Sequence, residues 1–129
     1  MNEILKFIKD AGVFYIATVE GDKPRVRPFA FAMEYQSKIY FCTSNQKNVY
    51  NQLKSNPQFE ACTMSKDGRW IRLQGKAVFD SSTDAKAKAF EVMPGLAKIY
   101  KSADFEVFYV EEAEATFYSM KDESRTIKL

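Results

Sequence analysis

The side chains with the clearest capacity for chemistry fall in two short runs. Thr43, Ser44 and Lys47 lie in CTSNQKN, and Arg25 and Arg27 lie in RVRP. Hydroxyls followed by a lysine suit an anion, because all three side chains donate and charge-assisted contacts are the stronger kind. Thr43-Ser44-Asn45-Gln46 reads as a helix start, a hydroxyl cap with Gln three residues on. Such a start has unpaired N–H groups and roughly half a positive charge. Lys47 in the first turn opposes that dipole unless an anion compensates. The alternative is an ordinary capped helix with a solvated lysine. Arg25 and Arg27 share a predicted strand face with Phe29, Phe31 and Met33. They either reach an anion beside an apolar ring system or lie at the solvated end of the strand.

Other chemistries are excluded by what the chain lacks. It has no histidine, which removes His-ligated metal sites and Ser-His or Cys-His nucleophile pairs. No glycine-rich phosphate loop is present. An enzyme built on this chain therefore draws its chemistry from a bound cofactor. Cys42 and Cys62 do not make a disulfide framework and are expected as buried free thiols. The net charge of +2 is spread along the chain, so no basic stripe marks a nucleic-acid partner. The lack of a signal-like start, and of an apolar run that could span a bilayer, predicts a soluble cytoplasmic protein without membrane contact.

These side chains need elements to hold them. The 129 residues suit a single domain, 1–129. Residues 2–11 read as a helix capped by Asn2 and closed by Gly12. Residues 13–20 read as a strand apolar on both faces, and 25–35 as a second strand. Small Val26, Ala30 and Ala32 on one face of the latter suit a barrel interior, and Pro28 argues for an edge or bulge. A third strand, 38–44, carries Tyr40, Cys42 and Ser44 on one face and Ile39, Phe41 and Thr43 on the other. It runs into a helix with Val49 and Leu53 on its apolar face, stopped by Asn56-Pro57. Strands over 58–66 and 70–80 follow, turning at Asp67-Gly68. The polar face of the latter holds Trp70 and Arg72, which line either a ligand, a subunit seam or solvent. Residues 83–93 read as a helix, 95–101 as a further turn or two, and 105–120 as a long strand bent near Glu111-Glu112. The tail from Lys121 is expected to be loose or docked on a partner. This order predicts a mainly β (α+β) fold, a six-stranded antiparallel barrel with short flanking helices. An aromatic content of 15% suggests a broad interface or a flat ligand.

Three segments carry a resemblance: VRPFAF at 26–31, IYFCTSNQKNVYNQLKSNP at 39–57 and WIRLQGKAVF at 70–79. In order and spacing the chain resembles the pyridoxamine 5'-phosphate oxidase-like FMN-binding split barrels, in their short general-stress or nitroimidazole-reductase-like branch. The resemblance implies a homodimer with FMN at the subunit seam. It implies that Arg25, Val26, Arg27 and Pro28 run along the flavin. Cys42 and Thr43 would offer backbone and hydroxyl contacts, and Ser44, Lys47 and Asn48 would hold the phosphate. Trp70 and Arg72 would approach the ring from the neighbouring subunit. The implied activity is oxidoreduction, with electrons passing through FMN to a small, aromatic or quinone-like acceptor. The other reading is a non-catalytic module that binds or senses flavin, haem or a deazaflavin on the same barrel.

Overall fold

The computed structural model describes all residues, 1–129. In chain order the elements are α1 (Asn2–Ala11), β1 (Phe14–Glu20), β2 (Lys23–Phe29), β3 (Met33–Tyr35), β4 (Lys38–Ser44) and α2 (Asn48–Ser55). They continue with β5 (Gln58–Met64), β6 (Trp70–Asp80), α3 (Thr83–Val92), α4 (Leu96–Ile99), β7 (Phe105–Tyr118) and β8 (Arg125–Lys128). The strands form one antiparallel sheet in the order β2-β1-β5-β6-β7-β4-β3, with β8 also on β7. This is a split barrel of eight strands, not six, with short helices around it.

The two extra strands have separate causes. The predicted strand 25–35 breaks at Ala30-Phe31-Ala32, and β3 turns away to pair with β4. The Gln36-Ser37 turn of that hairpin has φ of 50° and 62°, the left-handed pair that a tight two-residue link requires. The tail is neither loose nor free: its Arg125–Lys128 segment pairs with Glu114–Phe117 of β7. One edge of β7 thus serves both β4 and β8, because the strand bends at Glu112, where φ is 55°. The β6 ladder shifts register between Gln74 and Lys76 opposite that bend.

Gly75 sits at the shift. A Cβ there would lie 2.5 Å from a Val110 methyl and 2.9 Å from the Glu111 carbonyl oxygen. Gly75→Ala is expected to lower stability by about 1–3 kcal/mol, the usual range for overpacking. Urea unfolding measures it, and an unchanged midpoint would contradict the close approach.

The core is aromatic. Phe14, Phe41 and Phe108 are fully buried inside the barrel, with Phe29 and Phe79 packed against them. This accounts for much of the phenylalanine without a flat ligand. Ile4, Leu5 and Ile8 of α1 close the cluster from one side, and Val49 and Leu53 of α2 from another. A second cluster joins Phe31, Met33, Tyr40, Cys42, Phe105 and Val107 to Ala85 and Ala89 of α3 and Leu96 of α4.

Local details depart from the sequence reading. Met1, not Asn2, occupies the cap position of α1, without a side-chain hydrogen bond, while Gly12 closes the helix with φ of 84°. Val26 and Ala30 face solvent, and Phe29 on the arginine side of β2 turns inward. Strand β1 is not covered on both faces, since Tyr15 is half exposed. Cys42 is buried as expected, but Cys62 is exposed. Pro28 does lie on an edge strand. No helix is long and apolar enough to cross a membrane.

Candidate functional site

The ends of β2 and β4, the start of α2 and the α3–α4 segment enclose a cleft of about 320 Å³. Its lining combines Arg27, Pro28, Cys42, Thr43 and Lys47 with the larger side chains of Phe31, Met93, Leu96, Ile99 and Tyr100. An adjoining recess is lined by Arg25, Val26, Arg27, Lys47, Asn48 and Gln52. The cleft lining is mainly apolar but includes the cations Arg27 and Lys47, and both also line the recess.

The loop that carries Lys47 is fixed from behind. Asn45 donates its backbone N–H to the Asp104 carbonyl at 2.8 Å and its side-chain amide to Glu106 at 3.0 Å. The Ser44 hydroxyl accepts from the Gln46 amide at 3.1 Å, and the Ser44 carbonyl accepts from the Lys47 amide at 3.1 Å. Residues 44–47 are therefore a tight turn, and the helix starts at Asn48, four positions beyond the predicted Thr43-Ser44 cap. Lys47 is itself the cap residue, and no side chain accepts from the first turn. Thr43 and Ser44 stay in the strand for a sheet reason: they pair with Glu106 and Phe105 of β7.

The cations differ in how they are held. Arg25 is ion-paired to Glu20 at 2.9 Å, which holds the Glu20 carboxyl below its ordinary range. Arg27 donates to the Thr18 hydroxyl at 2.7 Å, the Ile16 carbonyl at 3.2 Å and the Gln52 side-chain carbonyl at 2.5 Å. None of these acceptors is charged. Burial pulls the Arg27 pKa below the ordinary guanidinium value. Lys47 lies 5.5 Å over the Tyr100 ring. Neither Arg27 nor Lys47 takes part in an ion pair.

Thr43, from the same lining, holds an unmet donor. The Thr43 hydroxyl is buried and has no hydrogen-bond partner. Such an atom costs roughly 1–3 kcal/mol when left unsatisfied. Two cations without carboxylate partners lining one cleft fit an anionic ligand with acceptor oxygens. The cleft also holds two groups that keep their protons at neutral pH. Burial pushes the Cys42 thiol up to about 12, and the Tyr100 phenol likewise up to about 12. The two hydrogen-bond each other, and neither is a base.

Of the residues selected from sequence, Arg27, Pro28, Cys42, Thr43 and Lys47 meet in the cleft, with Arg25, Val26 and Asn48 in the recess. Ser44 shapes the turn beneath them. Trp70 and Arg72 lie elsewhere, on the outer face of the sheet. Trp70 stacks on Tyr118 with ring centroids 5.2 Å apart, and Arg72 pairs with Glu60 at 2.9 Å. On that outer face Met64 stands opposite Trp70, Cys62 opposite Arg72, Tyr15 opposite Cys62 and Pro28 opposite Tyr15.

The sequence reading missed Gln52 and the wall from Met93 to Tyr100. Gln52 had a signal. It falls with Val49 and Leu53 on the buried stripe of α2, where a polar residue needs partners. The wall had none, because Met93, Leu96 and Ile99 join the cleft only through the packing of α3 and α4 on β7 and β3.

Among curated protein sequences none matches the chain. The sequence profile of the pyridoxamine 5'-phosphate oxidase family matches residues 1–125. A NimC/NimA family protein of Clostridium acetobutylicum is 41% identical, with a TM-score of 0.96 over 100% of this chain and 92% of that one. A pyridoxamine 5'-phosphate oxidase-related, FMN-binding protein of Nostoc punctiforme superposes with a TM-score of 0.67 at 12% identity, over 99% of this chain and 91% of that one. A haem-binding protein of Mycobacterium smegmatis superposes with a TM-score of 0.73 at 13% identity, over 92% of this chain and 53% of that one. The last two likenesses are of fold alone. The match over nearly its whole length, on a split barrel with this strand order, places the chain in the pyridoxamine 5'-phosphate oxidase family.

Proposed function

We propose that the chain is an FMN-dependent oxidoreductase that works as a homodimer. One observation carries the reading: Arg27 and Lys47, neither neutralised by a carboxylate, line the same cleft. A phosphate ester supplies what that cluster lacks, about −1.5 to −2 charges and several acceptor oxygens. Arg27, Thr43, Lys47 and the first amides of α2 would hold the phosphate of FMN. When bound, FMN would supply hydride or electron transfer to a small acceptor. The chain's own residues do the rest. Phe31, Met93, Leu96 and Ile99 offer apolar surface against which a flat ring can pack. Tyr100 and Cys42 retain their protons and, hydrogen-bonded to each other, keep one donor between them for a flat polar ligand.

The outer sheet face supports the dimer. Tyr15 and Met64 are at least half exposed, and Val26 is 68% exposed. Together with Pro28 and Trp70 they form an apolar strip continuous with the recess. A second copy on this strip would bring its own Trp70 and Arg72 towards the flavin. The fold neighbour that binds haem raises haem as the other ligand. The chain has no histidine to ligate an iron, and the two cations that line the cleft suit a phosphate.

The absorbance spectrum of the purified protein, with mass spectrometry of the released ligand, decides the cofactor. An FMN spectrum is expected, and a Soret band or a protein that ignores added FMN would overturn the reading. Stopped-flow reduction by a nicotinamide donor then tests the enzyme. A bound flavin that no donor reduces would leave a carrier.

A further inference from the structure

Arg25 and Arg27 stand two residues apart on β2 and have opposite electrostatic fates. Glu20 neutralises the first. What keeps it from the second is Gln52, 7% exposed on the inner stripe of α2. Its carbonyl oxygen accepts from Arg27 at 2.5 Å and from the Thr18 hydroxyl at 2.6 Å, while its amide nitrogen donates to Glu20 at 3.5 Å. A neutral amide thus stands between the carboxylate and the guanidinium. Glutamate in the same space would pair with Arg27 through the oxygen that already accepts from it, consuming the charge, and would turn its second oxygen towards Glu20. An alkyl side chain would leave the buried donors of Arg27 and Thr18 unmet.

We propose that Gln52 is a positioning residue for anion binding, orienting Arg27 through an uncharged acceptor so that its charge remains available to a phosphate ester. The proposal rests on the phosphate-side reading of the cleft. It goes beyond it by assigning the site's charge state to a helix residue that lines only its recess.

The test compares FMN with riboflavin, which has the same ring and no phosphate, by fluorescence titration of wild type, Gln52→Glu and Gln52→Met. Gln52→Glu is expected to weaken FMN about tenfold or more, the equivalent of one charge-assisted hydrogen bond, and to leave riboflavin unchanged. Gln52→Met, which keeps the charge and loses its orientation, is expected to weaken FMN less. Wild-type FMN affinity in Gln52→Glu overturns the proposal. So does an equal loss of both flavins, which is a structural effect, or an equal loss in the two variants. Should Gln52→Glu not fold, Gln52→Met decides: a loss of about threefold or more confined to FMN supports the role, and unchanged affinity refutes it. If wild type binds neither flavin, the flavin reading falls, and titration with inorganic phosphate decides the role of Gln52. Weaker phosphate binding in the variant then supports it, and equal or absent binding refutes it.

Discussion

Lys47→Glu is expected to abolish FMN binding at micromolar cofactor while the protein stays folded. Lys47 is exposed, forms no ion pair and lies over the face of Tyr100. Its replacement therefore costs the fold little, within about 0.5 kcal/mol for such a surface position. A carboxylate at the start of α2 even suits the helix dipole. The effect on the ligand has the opposite sign. One charge-assisted contact, worth roughly 1.5–3 kcal/mol, is lost and replaced by repulsion. Each 1.4 kcal/mol is about tenfold, so affinity should fall about a hundredfold or more. Flavin content after purification and a thermal melt of the same sample give both halves of the result. Full flavin content in the variant would show that the phosphate lies elsewhere.

The second large effect is on stability. Phe108 has no exposed surface and meets the rings of Phe29, Phe41, Phe59 and Phe79 at centroid distances of 5.3–6.3 Å. Few core positions join so many strands, since these partners come from β2, β4, β5 and β6. Phe108→Ala should cost about 3–5 kcal/mol, the range for emptying a buried aromatic site. Against a total of about 5–15 kcal/mol for a domain, that leaves the variant marginal. Urea titration reads the loss directly. A cost below about 1 kcal/mol would mean that the neighbouring rings collapse into the space.

Much of the site was legible because local chemistry marked it. Lys47 beside two hydroxyls and two arginines in strand register are patterns that a few residues carry by themselves. Their relative worth was not legible. Arg25 and Arg27 look alike in RVRP, and only the fold reveals that one faces Glu20 and the other Gln52. The helix start was misplaced for a related reason. Thr43 and Ser44 satisfy a local capping pattern, but pairing with β7, more than sixty residues on, draws them into the sheet. Tertiary pairing likewise made β8 from a short polar tail and broke the predicted second strand at Ala30-Phe31-Ala32, where nothing local demands a break. Cys62 was placed on a strand correctly and on the wrong side of it, because the alternation of β5 does not reveal which face meets solvent.

The strand order bears on how the chain reaches its native state. Phe41 lies beside Phe108, and Ile16 beside Ala61, so the ladders that build the barrel join distant parts of the sequence. Closing such loops consumes entropy before any contact rewards it. Refolding on the order of milliseconds to seconds is therefore expected, slower than for a helical chain of equal length. Nucleation has a natural seat in the β5–β6 hairpin, whose partners are near neighbours in the chain. The anion cleft, assembled from β2, β4, α2 and the α3–α4 segment, can form only after the long-range pairings are in place.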